Sequence, residues 1–417
     1  MKRVKTIDSI PIDLFFEIFS RLPTKSVGRC RCVSKLWSSI LGRQEFTELF
    51  LTKSLTRPRL LFALERYNSG EWFFYSSPHP QNPYEKSTVV AVDFHIKFPR
   101  SPSKCSYASG LFYFPDVWIS KNKGEDSVPV ICNPITGQYS ILPKPISPKL
   151  STKREPISFF GFDPIEKQFK VLLIHTVVNN ETVHRILTLG AGKMRWRNIQ
   201  CPLAHYPARE GICINGVLYY LAQQTNRKSY AIVCFDVRTE KFKLIDAKCF
   251  GDQYGIKLIN YKGKVCGVRL KYKNGSEWKS GRHIRKLCMW VLEDVEKQEW
   301  SQYVYPFPKN GYCNRLFIVG MTTTCEIVLS ENLGSKPYNV CYFSPERNTL
   351  QCVNFQGVEG NLEEFKHFNK LYAFVDHVED LSVNNAKQLM SSLFGLRNLG
   401  LFQSINKFDA LCPLDDD

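Results

Sequence analysis

Short apolar and aromatic runs, separated by Gly, Pro, Asn and Asp, extend from residue 58 to about residue 376 of this 417-residue chain. Such runs are typical of β-strands joined by turns. One pattern, in which a strand enters a tight turn and a second strand follows, recurs in five segments: 131–139, 161–169, 234–242, 293–297 and 343–348. This repetition predicts an all-β domain built from similar units.

The repeated unit is about 40 to 50 residues long and holds up to four strands. Each unit begins with a hairpin such as 214–219, where Asn215-Gly216 suits a turn with positive φ angles, and Trp196 and Trp300 lie near unit ends. A single unit cannot close a hydrophobic core, whereas units packed around an axis cover one another. We therefore predict a kelch-like β-propeller of about six blades, with a β-sandwich or a pair of barrels as alternatives.

A helical pattern precedes the β-domain. Between residues 10 and 22, apolar side chains occupy positions 14, 15, 16, 18, 19 and 22. The pattern predicts a helix that begins near Pro11 and ends at Pro23, a second helix capped by Thr24, and a third at 34–41. Because the first helix of this three-helix unit is apolar on most sides, it requires burial on two fronts, one of them against a partner.

The N-terminal unit carries most residues of a known motif. They are Ile10-Pro11, Leu14, Glu17-Ile18, Arg21-Leu22-Pro23, Lys25-Ser26, Arg31-Cys32-Val33-Ser34-Lys35 and Trp37. With this set the unit resembles the F-box, and it is most similar to plant F-box families in which an F-box-associated domain follows. Residues 187–190, 196–197 and 211–220 resemble that second domain. Phe19 and Gly28 depart from the usual smaller aliphatic residue and from a better helix former.

This resemblance implies a non-catalytic role in protein ubiquitination. An F-box implies binding to a Skp-type adaptor, and through it to a cullin, in an SCF-type E3 ubiquitin ligase whose target protein is held by the β-domain. The resemblance assigns adaptor contact to ten residues: Ile10, Pro11, Leu14, Ile18, Leu22, Pro23, Val27, Cys30, Val33 and Trp37. No pattern in the sequence identifies the target protein or the residues that bind it.

Three regions are implied along the chain. They are an F-box at 1–50, a substrate-binding β-propeller-like domain at 55–376, and a tail at 377–417 that is weakly helical or disordered. The first residues lack the apolar core of a signal peptide, and no apolar run approaches the roughly 18 residues that span a bilayer. We therefore expect the nucleus or the cytoplasm, no membrane association, and most of the 15 cysteines acting as small buried hydrophobic residues.

Motifs that carry chemistry are weak in this sequence. No Gly-x-Ser-x-Gly pentapeptide is present, and Gly190-Ala191-Gly192-Lys193 lacks the upstream glycine and the following Ser or Thr of a phosphate-binding loop. Cys30 and Cys32 have the wrong spacing for a zinc site, and the histidines, including His175, His184 and His205, stand singly. We therefore predict no catalytic residue, no metal ligand and no cofactor.

The formal net charge of +17 favours acidic partners. The positive charge is most concentrated in segment 269–286, which combines seven basic residues with two aromatic ones: Arg269, Lys271, Lys273, Lys279, Arg282, Arg285, Lys286, Tyr272 and Trp278. This mixture can bind single-stranded nucleic acid, but the central Asn274-Gly275-Ser276 favours a solvated loop between strands. The alternative to a ligase subunit is thus a basic propeller that binds nucleic acid or acidic proteins outside a ligase.

Overall fold

The computed structural model describes residues 11–381 with several gaps. The gaps are 67–68, 80–88, 99–104, 122–123, 136, 138, 146–154, 177–181, 191–193, 225–229, 252–254, 273–283, 309–315, 332–338 and 358–367. The predicted tail therefore lies outside the described residues from position 382 onward. Within the described ranges, no helix is long and apolar enough to cross a membrane.

Four helices form the N-terminal unit. They are α1 (Ile12–Phe19), α2 (Thr24–Arg31), α3 (Lys35–Leu41) and α4 (Gln44–Leu55). Proline precedes α1 and α2, so that Thr24 is the first residue of α2 rather than its cap, while Ser34 Oγ caps α3 by accepting a hydrogen bond from the Trp37 amide at 3.1 Å. The predicted number of three helices is corrected by α4, which forms because Phe46 and Phe50 are fully buried on one of its sides.

The β-domain consists of six four-stranded blades. The first three strands, which belong to the first blade, are β1 (Arg59–Arg66), β2 (Trp72–Pro78) and β3 (Val89–Phe98). The second blade holds β4 (Ser106–Ala108), β5 (Leu111–Lys121), β6 (Gly124–Cys132) and β7 (Tyr139–Ile141). The third holds β8 (Ile157–Asp163), β9 (Gln168–Thr176), β10 (Thr182–Thr188) and β11 (Arg197–Ile199).

The remaining blades repeat this order. The fourth holds β12 (His205–Ile214), β13 (Val217–Gln224), β14 (Tyr230–Asp236) and β15 (Phe242–Asp246). The fifth holds β16 (Lys257–Tyr261), β17 (Lys264–Tyr272), β18 (Ile284–Asp294) and β19 (Glu299–Pro306). The sixth holds β20 (Leu316–Met321), β21 (Ile327–Glu331), β22 (Asn339–Ser344) and β23 (Thr349–Gly357). Six blades confirm the propeller over the sandwich and the pair of barrels.

The last strand, β24 (Phe368–His377), closes the ring. It pairs antiparallel with β1, where Leu61 lies opposite Phe374, and it occupies the first position of the first blade. At the outer edge, β3 and β23 pair in parallel and join the first and sixth blades into one sheet. In the sixth blade, a disulfide links Cys341 and Cys352 across β22 and β23, a pair that the sequence did not reveal.

Turn chemistry explains the recurring sequence pattern. Asn215 and Gly216 adopt φ angles of 49° and 82°, which confirms the predicted tight turn between β12 and β13. Asp236 Oδ1 accepts the Thr239 amide at 2.7 Å in the turn between the third and fourth strands of its blade. The same turn chemistry occurs at Asp163, but between the first and second strands of the third blade. The pattern thus reports local turns, and segment 161–169 is not equivalent in blade position to the other four.

Aromatic side chains fill the spaces between blades. Phe159 of β8 stacks on Tyr220 of β13 with ring centroids 4.3 Å apart. The two tryptophans that recur near unit ends make equivalent contacts to the preceding blade: Trp196 Nε1 donates to the Pro143 carbonyl at 2.7 Å, and Trp300 Nε1 donates to the Asp246 carbonyl at 3.1 Å. The blades are therefore joined by both apolar packing and directed hydrogen bonds.

Gly267 on β17 is required by close packing. A Cβ atom at this position would lie 2.6 Å from Cζ of the buried Phe250 ring, which Trp290 and Trp300 hold in edge contacts. We expect Gly267→Ala to lower the free energy of unfolding by about 1–3 kcal/mol, measured as the midpoint of urea unfolding.

Gly28 provides the matched control. It is exposed within α2, and a Cβ there meets nothing within 4 Å, so Gly28→Ala should raise the stability of the helix by up to about 1 kcal/mol. A Gly267→Ala protein with a midpoint equal to the parent's would contradict the packing argument.

Candidate functional site

Helix α1 has two apolar fronts. Phe15, Phe16 and Phe19 are buried beneath it, whereas the side chains of Leu14 and Ile18 are 56% and 55% exposed. Because Leu14 and Ile18 are four residues apart, they lie on the same outer side of the helix. Of the two apolar fronts of α1 that were predicted to need burial, one is buried within the F-box and the other is exposed to solvent, so burial of the second front against a partner stays a prediction.

The inner front is fixed by aromatic contacts. The Trp37 ring of α3 meets Phe15 and Phe19 edge-on at centroid distances of 5.4 and 5.0 Å. Phe16 contacts Phe46 of α4 at 5.4 Å. Paired aromatic rings of this kind contribute about 0.5–1.5 kcal/mol each beyond the area they bury. This packing holds α1 with its outer front accessible.

A second apolar pair lies at the start of α3. Val33 is 64% exposed and Leu36 is 51% exposed, on either side of the capping residue Ser34. We call Leu14, Ile18, Val33 and Leu36 together the candidate docking surface. Large aliphatic side chains exposed to this extent on a small helical unit are typical of a surface that a partner covers.

The ten residues that the sequence assigned to adaptor contact differ in their exposure to solvent. Pro11, Leu14, Ile18, Pro23 and Val33 are exposed, while Leu22, Cys30 and Trp37 are half-buried, and Ile10 lies outside the described residues. Val27 is fully buried in the core of the N-terminal unit, so that it offers no surface to a partner. Ile12 and Leu36 are exposed apolar residues that the sequence assignment missed.

Helix α1 also carries a charged residue, Glu17. Glu17 receives hydrogen bonds from Arg21, one turn later, and from Lys53 Nζ of α4 at 3.2 Å. The Arg21 hydrogen bond, and then that of Lys53, lowers the pKa of the Glu17 carboxyl. The carboxylate therefore stays ionised and links α1 to α4 at the surface.

Comparison with known families agrees with this geometry. A family profile described as an F-box domain matches residues 7–49, and one described as an F-box associated beta propeller domain matches residues 59–378. The second match covers more than half of the chain. The chain belongs to the F-box proteins with an F-box-associated β-propeller.

Curated relatives of this F-box protein come from Arabidopsis thaliana. F-box protein At3g57590 is 50% identical over 404 residues, which cover 94% of this chain and 96% of that protein. F-box only protein 12 is 46% identical over 405 residues, which cover 92% and 85% of the two chains. Among solved structures, the β-propeller domain of the Trilobed protease from Pyrococcus furiosus matches 60% of this chain and 82% of that one, with 9% identity. Its TM-score of 0.33 is too low to support an inference.

The F-box of this protein is joined to the propeller by a segment that follows β24. Glu379 and Leu381 are buried, and Leu381 belongs to the same apolar cluster as Phe16 and Phe46. Glu379 Oε1 accepts a hydrogen bond from the Thr24 amide at 3.4 Å. Lys25 Nζ adds a hydrogen bond to the carbonyl of Phe94 in β3 at 3.1 Å. The docking surface is thereby held in a fixed orientation relative to the propeller.

The linker between the F-box and β1 is also fixed. The Arg57 guanidinium donates to the carbonyls of Ser20 and Leu22 at 2.7 and 3.1 Å, and to that of Arg21. These carbonyls follow α1 and have no partner within the helix. The linker therefore caps the first helix while it leads into the first blade.

The basic segment of this F-box protein lies in the fifth blade. Lys271 and Lys286 are opposite each other on β17 and β18, and the Arg269 guanidinium lies 5.3 Å from the centre of the Trp290 ring. The stretch 273–283, which holds Trp278 and three of the basic residues, lies outside the described residues. Arg269 therefore stacks on an aromatic residue of its own blade.

Two of the histidines that stand singly in the sequence meet in the structure. His184 of β10 and His205 of β12 have ring centroids 5.4 Å apart, and Cys201 lies between them along the chain. Among the described residues, these three form the group whose geometry could hold a metal ion. Sequence reasoning missed the group, although Cys201 and His205 are separated by three residues, a short spacing that could have signalled a pair of ligands.

Proposed function

We propose that this F-box protein is the substrate-recognition subunit of an SCF-type, cullin-RING E3 ubiquitin ligase. Its F-box binds a Skp-type adaptor, and through it a cullin, while its propeller binds a target protein. The chain itself carries out no bond-making step. The observation that carries the proposal is the exposed apolar front of α1 on an F-box whose inner front is fully packed.

Burial of the docking surface supplies affinity for the adaptor. Complete burial of one large aliphatic side chain contributes about 1.5–3 kcal/mol, so covering the exposed halves of Leu14 and Ile18 contributes about 1 kcal/mol each. Val33 and Leu36 provide further exposed apolar area on the F-box. Leu22, Cys30 and Trp37 are half-buried against the F-box core, and we keep them as partial adaptor contacts.

In the proposed ligase role, the protein acts by bringing the target close to the ubiquitin-carrying enzyme. A target held by the propeller presents its lysines at high effective concentration to the ubiquitin-carrying enzyme. Because Lys25, Glu379 and Leu381 tie the F-box to the propeller, the distance between adaptor and target is set by the fold rather than by a flexible linker. Such a fixed geometry reduces the conformations that must be searched before transfer.

Replacement of both α1 surface residues tests the proposal. We expect Leu14→Glu with Ile18→Glu to weaken binding to a purified Skp-type adaptor by at least a hundredfold, because each carboxylate would have to be desolvated in the interface. Isothermal titration measures the affinity, and co-purification of a cullin from plant extract checks the assembly. Circular dichroism verifies that the helices remain folded.

A matched double substitution on the propeller is the control. Ile165 and Phe317 are 69% and 53% exposed, so Ile165→Glu with Phe317→Glu introduces the same charge far from the docking surface. Adaptor binding should be unchanged in this protein. Full affinity in the α1 variant would overturn the assigned docking surface, and no adaptor binding by the unaltered chain would overturn the ligase role.

A further inference from the structure

We propose that His184, Cys201 and His205 bind one zinc ion between the third and fourth blades. His184 lies on β10 of the third blade, Cys201 follows β11, and His205 begins β12 of the fourth blade. One potential ligand atom from each residue lies within 4.8 Å of the others. Two imidazoles and one thiolate are a donor set that suits Zn²⁺.

His184 has a free nitrogen at this site. The residue is 3% exposed, and its Nε2 meets no hydrogen-bond partner among the described residues. A buried imidazole nitrogen without a partner is costly, and a metal ion would satisfy it. Nε2 of His184 is therefore positioned to donate a lone pair to a metal ion.

His205 is oriented for the same role. Its Nδ1 lies 3.0 Å from the Leu203 carbonyl oxygen, and this hydrogen bond requires that Nδ1 carry the proton. The lone pair therefore resides on Nε2, which lies 2.9 Å from the Tyr220 hydroxyl. A histidine that donates one nitrogen to a backbone carbonyl while the other faces a metal is the usual arrangement of a metal ligand.

Cys201 supplies the anionic ligand. In the absence of a metal ion its thiol donates a hydrogen bond to the Leu203 carbonyl at 3.6 Å. On binding, the Zn–S bond forms and the thiol proton passes to solvent. A water molecule completes four-coordination, and Tyr220 Oη, displaced from His205, forms a hydrogen bond with that water. Because one proton is released, affinity rises by about tenfold per pH unit below the thiol pKa.

The expected consequence is a cross-link between adjacent blades. The ion would connect β10 to the segment that leads into β12, beside the stacked pair Phe159 and Tyr220. Zinc should therefore raise the melting temperature of the whole propeller, since a ligand that binds only the folded state stabilises it. This inference is independent of adaptor binding.

The test uses Co²⁺ as a spectroscopic probe and then Zn²⁺ itself on the chelator-treated full chain. We expect tetrahedral d–d absorption and a thiolate-to-cobalt charge-transfer band at about one ion per chain. Displacement of cobalt by zinc should follow, and zinc should raise the melting temperature. Cys201→Ser should remove the charge-transfer band. His205→Asn removes a metal ligand and should weaken metal binding by more than about a hundredfold, which is the effect of losing a residue that only hydrogen-bonds to a ligand.

Two substitutions serve as matched controls. His175 is also buried with an unpartnered Nε2 but lies outside the ligand group, and Cys249 is an exposed free thiol. His175→Asn and Cys249→Ser should keep the spectrum and the affinity. Absence of the charge-transfer band in the unaltered protein would overturn the site even if a variant failed to fold, and so would its persistence in Cys201→Ser.

Discussion

A chain that ends at Lys366 is expected to give no cooperatively folded propeller. It lacks β24, which occupies the first position of the first blade and pairs with β1 along its length. Without β24, the inner edge of β1 loses its hydrogen-bond partners, and the ring has a gap between the second and sixth blades. An exposed edge of this kind favours aggregation.

Packing on both faces of β24 accounts for the size of the effect. Tyr372 and Phe374 face one side, where Phe374 meets the Phe112 ring of the second blade edge-on at 4.8 Å. Val375 faces the other side and belongs to a cluster with Val328 of the sixth blade. Removal of a single large core side chain costs about 2–5 kcal/mol, so loss of the entire strand exceeds the usual stability of a domain.

Soluble yield and thermal unfolding followed by near-ultraviolet circular dichroism measure this outcome. The control chain ends at Leu381, so it keeps β24 and the segment that contacts the F-box. We expect a cooperative transition in the control and none in the chain that ends at Lys366. A transition of equal melting temperature in both chains would show that the ring does not depend on its closing strand.

The propeller could be predicted from the sequence because its turns are encoded locally. Asn215-Gly216 and the Asp, Asn or Ser residues that begin the other turns mark hairpins whose geometry depends on neighbours in the chain. Ring closure could not be predicted in this way, since β1 and β24 are paired across almost the whole domain. No local signal specifies which distant strand completes a blade.

The F-box surface, like the propeller, could be predicted from the sequence only in part. Apolar periodicity identified α1 and its two fronts, but the motif alone assigned Val27 to the adaptor although the residue is fully buried. A motif records which residues recur, and it does not distinguish a core residue from a contact residue. The group of His184, Cys201 and His205 was missed because two blades must pack before its ligand atoms approach one another.

Leu381→Ala is expected to loosen the F-box while the propeller stays folded. Leu381 is 3% exposed and lies in the apolar cluster of the F-box, although it follows the last propeller strand. Truncation of a buried leucine to alanine costs about 2–5 kcal/mol. A unit as small as this F-box has little stability to spare. We therefore expect the helices to depend on a residue that follows the last propeller strand.

Hydrogen exchange measured by mass spectrometry distinguishes the two parts of the chain. In Leu381→Ala, amides of α1 to α4 should exchange at least tenfold faster, whereas those of β8 to β15 should keep their protection. Leu55→Ala is the matched control, because Leu55 lies on α4 with 60% of its side chain exposed and should leave exchange unchanged. Equal protection of the helices in both variants would mean that the F-box holds its fold without the Leu381 side chain. The Glu379–Thr24 hydrogen bond, the Arg57 linker and the contact of Lys25 with β3 would then be sufficient to hold the F-box on the propeller.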